Sequence, residues 1–342
     1  MRIDSDHRTR TPLIARWHLL LFHALLLITT PALSSGGSRT IIWNGEREDG
    51  HVSYMLSPVV ATLREGLEAW GHNVTTGRGM TPAFRRTTSS LGENDTFIFV
   101  GSISFGKPPW RSLRERKVRL VYYNTEPYGC SRAIRPSPID EWWDYSRANC
   151  DSCSQMLSVA AVRFVPPGVI AQSPQVRNFA NVGYGTGWTM LGRADASIER
   201  RRCFGIITAG LQRGREFFEV SKIWSNESFR AFVEDARGPL AFLSLHKKCG
   251  QPRAPFEAVR ASQLLSAGAL LFSENSYVKD MREYQDIVAF APMQKNALRS
   301  AVADVLRLPP NERRARAEKA GALFRQRFAP SAIIERAQIP WV

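Results

Sequence analysis

The chain has 342 residues, 44% of them hydrophobic, enough for one large or two ordinary domains that each bury a core. With 23% charged residues and neither a low-complexity tract nor an internal repeat, the composition excludes disordered, collagen-like and repeat architectures. The 46 Lys and Arg against 31 Asp and Glu give a formal charge of +15, but the basic residues are dispersed. The densest group, Arg313, Arg314, Arg316, Lys319, Arg325 and Arg327, is broken by Glu312 and Glu318 and reads as a solvated helix face. No recognisable nucleic-acid module accompanies it.

The first apolar run is Trp17 to Leu33, preceded by Arg2, Arg8, Arg10 and Arg16 and followed by Ser34, Ser35, Gly36 and Gly37. That layout predicts a secretory leader, either a cleaved signal or an uncleaved type II anchor, and so a protein released into the ER or Golgi lumen, secreted, or held at the membrane by its N-terminal segment alone. Three sequons, at Asn73, Asn94 and Asn226, agree with lumenal exposure. The five cysteines, Cys130, Cys150, Cys153, Cys203 and Cys249, are too sparse for a disulfide scaffold. Cys150-Asp-Ser-Cys153 stands without a second pair or a nearby His, so it reads as a local disulfide or buried thiols, and no metal site is expected.

After the leader, Thr40 to Trp43 predicts a short buried strand, Asn44 to His51 a polar loop, and Ser57 to Trp70 a helix ended by Gly71. Thr96 to Val100 and Val118 to Tyr123 are near-continuous apolar runs, as in parallel strands covered on both faces. Val162 to Val165, followed by Pro166-Pro167-Gly168, closes this first α/β half. From about Gln172 to Arg202 no period is visible, and the stretch reads as a linker or loop. A second α/β pattern is expected from a strand at Cys203 to Ile207, another at Leu240 to Leu245, a helix around Glu257 to Ala267, a strand at Ala269 to Ser273, and a helical stripe of Leu298, Val302, Val305 and Leu306 stopped by Pro309.

In open parallel sheets ligands sit beyond the carboxyl ends of the strands. That rule selects Arg213 and Arg215, then His246, then Glu274: cations suited to diphosphate oxygens and a carboxylate suited to ribose hydroxyls. In the first half it selects Asp49 and His51, from the loop after the first strand, and Glu126, after a later one. These are candidate general bases, with solvated or structural roles as the alternative. Trp142, Trp143 and Tyr145 are either an aromatic platform for a sugar or core.

Leu245-His246-Lys247, followed by Glu257-Ala-Val-Arg260-Ala-Ser-Gln263 through Gly268 to Ser273-Glu274, resembles the nucleotide-sugar half of GT-B glycosyltransferases, most of all the spore-protein (CgeB-type) branch, also grouped as glycosyltransferase group 1. In that branch an Arg stands eight residues before the helix-ending Gly, as Arg260 does, and a Ser/Thr-Glu pair follows the next strand. Tyr123-Asn-Thr-Glu-Pro127, Trp143-Asp-Tyr-Ser146 with Asn149, and Val165-Pro-Pro-Gly168 are similar to the acceptor-side half of the same proteins.

The resemblance implies an α/β, GT-B-like fold in which two Rossmann-like domains face each other across a cleft. Residues 1–38 would be the leader, 39–170 the acceptor-side domain, 171–202 a linker, and 203–342 the nucleotide-sugar-binding domain. It implies transfer of a sugar from a nucleotide-diphosphate donor to a glycan, protein or lipid acceptor, without a metal or other cofactor. Arg213, Arg215, His246, Glu257, Arg260, Gln263 and Glu274 would hold the donor. Many relatives have a Glu for the donor ribose where this chain has Gln263, so donor binding is weaker, Glu257 or Glu274 takes the role, or the protein is a non-catalytic binder of glycan or nucleotide sugar.

Overall fold

Apolar runs four to six residues long, separated by polar helical stretches, fold into two parallel sheets. The structure is a computed structural model and describes residues 38–45, 56–101, 108–127, 130, 138–169, 188–191, 197–209, 217–220, 241–251, 253–266, 268–293 and 297–342. Residues 38–342 cluster as one compact unit, and the leader lies outside the described residues. Among the described residues, no helix is long and apolar enough to cross a membrane.

The first sheet contains β1 (Arg39–Asn44), β2 (Asn73–Arg78), β3 (Thr96–Gly101), β4 (Arg119–Asn124), β5 (Glu141–Asp144) and β6 (Ala161–Phe164) in the order β2-β1-β3-β4-β5-β6. All its pairings are parallel. All six residues of β3 are buried, as its unbroken apolar run requires of a central strand covered on both faces. β2 carries the polar sequence NVTTGR at the sheet edge, with Asn73 exposed. Helices α1 (Ser57–Ala69), α2 (Pro82–Ser89), α3 (Trp110–Glu115) and α4 (Arg147–Met156) connect the strands. α1 starts with Pro58 in its first turn and ends where the sequence indicates: Gly71, at φ +85°, donates to Glu68 O, and His72 donates to Leu67 O, a Schellman motif.

The second sheet contains β7 (Trp188–Leu191), β8 (Phe217–Val220), β9 (Ala241–Ser244), β10 (Leu270–Glu274) and β11 (Val288–Ala291) in the order β11-β10-β9-β7-β8, again parallel. Its helices are α5 (Ile198–Thr208), α6 (Ala258–Ser266), α7 (Val278–Glu283), α8 (Ala297–Leu306), α9 (Pro310–Arg327) and α10 (Pro330–Arg336).

Two sequence expectations change here. Cys203 to Ile207 is not a strand but part of α5, which begins where Ser197 Oγ accepts from the Arg200 N–H. Cys203, Phe204 and Ile207 are buried while Ile206 is exposed, a helical spacing that a five-residue apolar run does not reveal. The stretch read as a linker contains β7, which lies between β8 and β9.

The C-terminal residues, expected in the second half, pack on the first. α10 lies against α1, where a Cβ on Gly66 would stand 2.7 Å from Pro330 O and 2.6 Å from Ile334 Cγ1. Trp341 stacks on Trp143, with ring centroids 6.0 Å apart, and donates to Glu141. Pro166-Pro167-Gly168 crosses beside this return: Gly168 donates to Thr62 Oγ1 at 2.7 Å and Val169 to Phe328 O at 2.9 Å. One buried cluster therefore runs from Leu63 and Leu67 through Ile333, Ile334, Phe324 and Phe328 to Tyr284, Phe256 and Leu271. Gly66→Ala is expected to cost about 1–3 kcal/mol, because the obstructing atom is helix backbone; urea unfolding of the variant measures it, and unchanged stability would place α10 elsewhere.

Candidate functional site

At the carboxyl end of the first sheet, Asn124 ends β4 and Asp144 ends β5. Asp144 Oδ2 accepts from Asn124 Nδ2 at 2.7 Å and Trp142 Nε1 at 3.3 Å, and Oδ1 accepts from Ser146 N and Asn149 Nδ2, each at 3.0 Å. Burial pushes the Asp144 carboxyl up to about 7, while hydrogen bonds from Asn124, Asn149, Ser146 and Trp142 pull the other way. The backbone of Glu126 belongs to the same network, its N–H donating to Asn124 Oδ1 and its carbonyl accepting from Asn124 and Asn149. Burial raises the Tyr122 and Tyr145 hydroxyls, and the charge of the half-buried Glu126 side chain nearby adds to it. Trp142, Trp143 and Tyr145 are buried, so they are core.

The second sheet presents His246 after β9 and Glu274 at the end of β10, both buried. Glu274 Oε1 accepts from the His246 N–H at 2.7 Å and Oε2 from the Gly250 N–H at 2.6 Å. Gly250 is at φ +79°, which a side chain disfavours. The His246 ring places Nδ1 3.4 Å from Glu274 Oε1 and Nε2 3.0 Å from Ser276 Oγ. From α5, Arg200 donates to Leu245 O at 2.7 Å and His246 O at 3.2 Å, and Ser197 Oγ donates to Lys247 O. A disulfide between Cys203 and Cys249 ties the far end of this loop to the same helix. The loop 245–250 is thus fixed through its carbonyls, its amides and a covalent bond.

Along α6 and just before it, Glu257, Arg260 and Gln263 form a half-buried stripe three residues apart. Glu257 bridges two cations, 3.5 Å from Arg200 and 2.9 Å from Arg260. The helix ends as the sequence indicates at Gly268, φ +75°, and Gly321 of α9 comes so close that its Cβ would lie 2.9 Å from Gly268 Cα.

The two carboxyl edges meet. Asp280 of α7 accepts from Ser146 Oγ at 2.7 Å, the Arg147 N–H at 2.6 Å and the Phe256 N–H at 3.2 Å, so a carboxylate of the second half caps the amino end of α4 in the first. Burial pushes Asp280 up to about 6, opposed by those hydrogen bonds. Around it, Arg147 pairs with Glu283 at 2.7 Å and Lys279 with Asp151 at 2.7 Å.

The structure thus brings Glu257, Arg260 and Gln263 onto one stripe and His246 against Glu274. It puts Glu126 on the other sheet's carboxyl edge. Asp49, His51, Arg213 and Arg215 lie outside the described residues. Sequence reasoning missed Asp280, Arg200 and Ser276. Ser197 three residues before Arg200 was an available capping signal, whereas Asp280 acts across 134 residues of chain and has no local signature. Among the described residues, no group of three or more His, Cys, Asp or Glu is placed to hold a metal ion. A cavity of about 870 Å³, bordered by Arg114, Arg119, Glu141, Arg163 and Trp341, opens at the opposite, amino-terminal edge of the first sheet.

No protein-family model and no curated protein matches the chain. Solved structures do. An alpha,alpha-trehalose-phosphate synthase (UDP-forming) from Burkholderia vietnamiensis is similar with a TM-score of 0.55 at 14% identity, over 89% of this chain and 100% of that one. Anabaena HepE in complex with UDP and glucose gives 0.54 at 11%, over 87% and 98%. Sucrose-phosphate synthase from Thermosynechococcus elongatus gives 0.52 at 14%, over 87% and 97%. Identities this low establish the fold, which is GT-B, two parallel-sheet halves with their carboxyl edges together.

Proposed function

We propose that the protein is a GT-B glycosyltransferase that moves a sugar from a nucleotide-diphosphate donor to an acceptor held by the first half. The observation that carries the reading is the meeting of the two carboxyl edges at Asp280 and Ser146, with the Glu257, Arg260 and Gln263 stripe and the pinned loop 245–250 on the second side. The neighbours add support: one is a UDP-forming synthase and another holds UDP and glucose. In this reading Arg260, with Arg213 and Arg215, offsets the charge that collects on the departing diphosphate. His246 and Gln263 border the nucleotide, and Glu274 shapes its wall by holding the loop amides. Asp49, His51 or Glu126 takes the acceptor proton if the sugar carbon inverts. The diphosphate charge is met by guanidinium and amide groups, without a metal or other cofactor. We further propose that residues 203–342 hold the donor, that the CgeB-type branch is the nearest relation, and that the protein works in the secretory pathway. The Cys203–Cys249 disulfide and the exposed sequon residues Asn73 and Asn94 suit that compartment.

Arg260→Ala tests the donor assignment. A charge-assisted hydrogen bond is worth about 1.5–3 kcal/mol, so nucleotide affinity should fall about tenfold or more. Calorimetry with UDP and GDP, alongside donor hydrolysis and transfer assays, reads this out. Unchanged affinity in a folded variant overturns the role.

A second reading, a non-catalytic binder of nucleotide sugar or glycan, is favoured by two observations. Gln263 stands where a Glu is expected, and both oxygens of Glu274 are already engaged by backbone N–H groups. Saturable nucleotide binding without turnover over a broad donor and acceptor panel would select it.

A further inference from the structure

Three cysteines stand outside the disulfide, Cys130, Cys150 and Cys153, and all are buried. Their surroundings differ. The Cys130 N–H donates to Cys153 Sγ at 3.0 Å. Met156 brings a third sulfur, its Sδ 3.9 Å from Cys130 Sγ. Cys150, one turn earlier on α4, instead borders the charges of Asp144, Arg147 and Asp280 at the junction of the halves. The CxxC spacing suggests a bond between Cys150 and Cys153, but the packing hands Cys153 to Cys130, 23 residues away in sequence.

We propose that Cys130 and Cys153 form a second disulfide, acquired while the chain folds. Three observations converge on it: the Cys130 N–H held 3.0 Å from Cys153 Sγ, the burial of both thiols at 2% and 0% exposure, and a chain that already holds Cys203 and Cys249 as a disulfide. The reaction is exchange. One cysteine thiolate attacks the disulfide of an oxidoreductase or of oxidised glutathione, releasing one reduced thiol. The second cysteine then attacks the mixed disulfide and releases the other, so two electrons and two protons leave the pair and reduce the donor.

Exchange needs a thiolate, and burial in the finished fold pushes the Cys153 thiol far up, keeping it protonated. The bond therefore forms before this site closes, or it forms only with difficulty afterwards. Once made, it closes a loop holding β5 and the amino end of α4, and thus the Asp144 and Ser146 network that faces the second half.

The test is a thiol census of the full chain from a eukaryotic secretory host, alkylated under denaturing conditions without reductant and mapped by mass spectrometry. One alkylated cysteine per chain, Cys150, and a peptide linking Cys130 to Cys153 are expected. Cys150→Ser should keep that link and leave no alkylated thiol, whereas Cys130→Ser should leave Cys150 and Cys153 both alkylated. The Cys130 variant should also melt roughly 5–10 °C lower, as the loss of one loop-closing bond implies. Three alkylated cysteines beside an intact Cys203–Cys249 link overturn the proposal, and so does a Cys150–Cys153 link. If the secreted chain carries no disulfide at all, refolding in a glutathione redox buffer supplies the oxidant, and three free thiols after that also overturn it.

Discussion

Glu274→Ala should abolish nucleotide binding and lower stability by about 2–4 kcal/mol. Removing the carboxylate leaves the N–H groups of His246 and Gly250 without their acceptor at a site where Glu274 is 1% exposed. The buried His246 N–H stripped of its partner costs about 1–3 kcal/mol, the Gly250 N–H at an exposed residue costs less because water can reach it, and a small void adds to the loss. The binding loss would follow from the loop, since His246 and Gly250 frame the face on which the proposed nucleotide lies. Glu274→Gln separates shape from acceptor strength: it preserves the volume but offers one oxygen, so only one of the two N–H groups keeps a partner. It should fall between wild type and Ala in denaturant midpoint and in nucleotide affinity. If the alanine variant keeps wild-type stability and loses only affinity, Glu274 touches the nucleotide directly and the positioning role is wrong.

Asp280→Asn should flatten the pH dependence of stability. The Asp280 carboxyl is raised from an ordinary value near 3.8 to about 6, chiefly by burial. A raised folded-state value means that the contribution of the protonated group is fully present below about pH 4 and is lost as pH climbs through 6. A rise of about two pKa units corresponds to about 3 kcal/mol. Asp144, raised to about 7 by the same cause, has the same sign and extends the window upward by about one unit. Urea unfolding at pH 4.5 and 7.5 should therefore show wild type losing more stability than Asp280→Asn across that interval. The Asn variant starts lower at acid pH, because its amide nitrogen faces a donor whichever way it is turned: the Arg147 N–H on one side, Ser146 Oγ and the Phe256 N–H on the other. Equal slopes for the two proteins would show that Asp280 stays ionised throughout, held by the amino end of α4.

How much of this was legible beforehand depends on the range of the interaction. The β3 run, the α1 stop at Gly71 and the α6 stop at Gly268 were readable because each is written within a few residues: unbroken apolar character in one case, a glycine at positive φ in the others. β7 was not readable, since four residues in a glycine-rich stretch carry no period. α5 was misread because a buried helical face and a buried strand look alike over five residues. At the site, His246 and Glu274 stood out by their position after strands, and Arg260 and Glu257 through the resemblance to GT-B glycosyltransferases. The fixing of Glu274 by two backbone N–H groups depends on where a loop 24 to 28 residues away comes to lie, which no local pattern encodes. The asparagines of Tyr123-Asn-Thr-Glu-Pro127 and Trp143-Asp-Tyr-Ser146 with Asn149 were visible as motifs. Only the structure shows that both donate to Asp144 and to the Glu126 carbonyl.

The return of the C-terminal residues to the first half has a mechanical consequence. Two bodies joined by one flexible thread can rotate about any axis, whereas two threads side by side leave a single axis, as a pair of pins does for a door. Here the outgoing segment at Gly168 and Val169 and the incoming one at Phe328 lie within a hydrogen bond of each other. Any swing of the two sheets would turn about this crossing, and the hydrogen bond between Asp280 and Ser146, made from one half to the other, is a contact such a rotation would stretch.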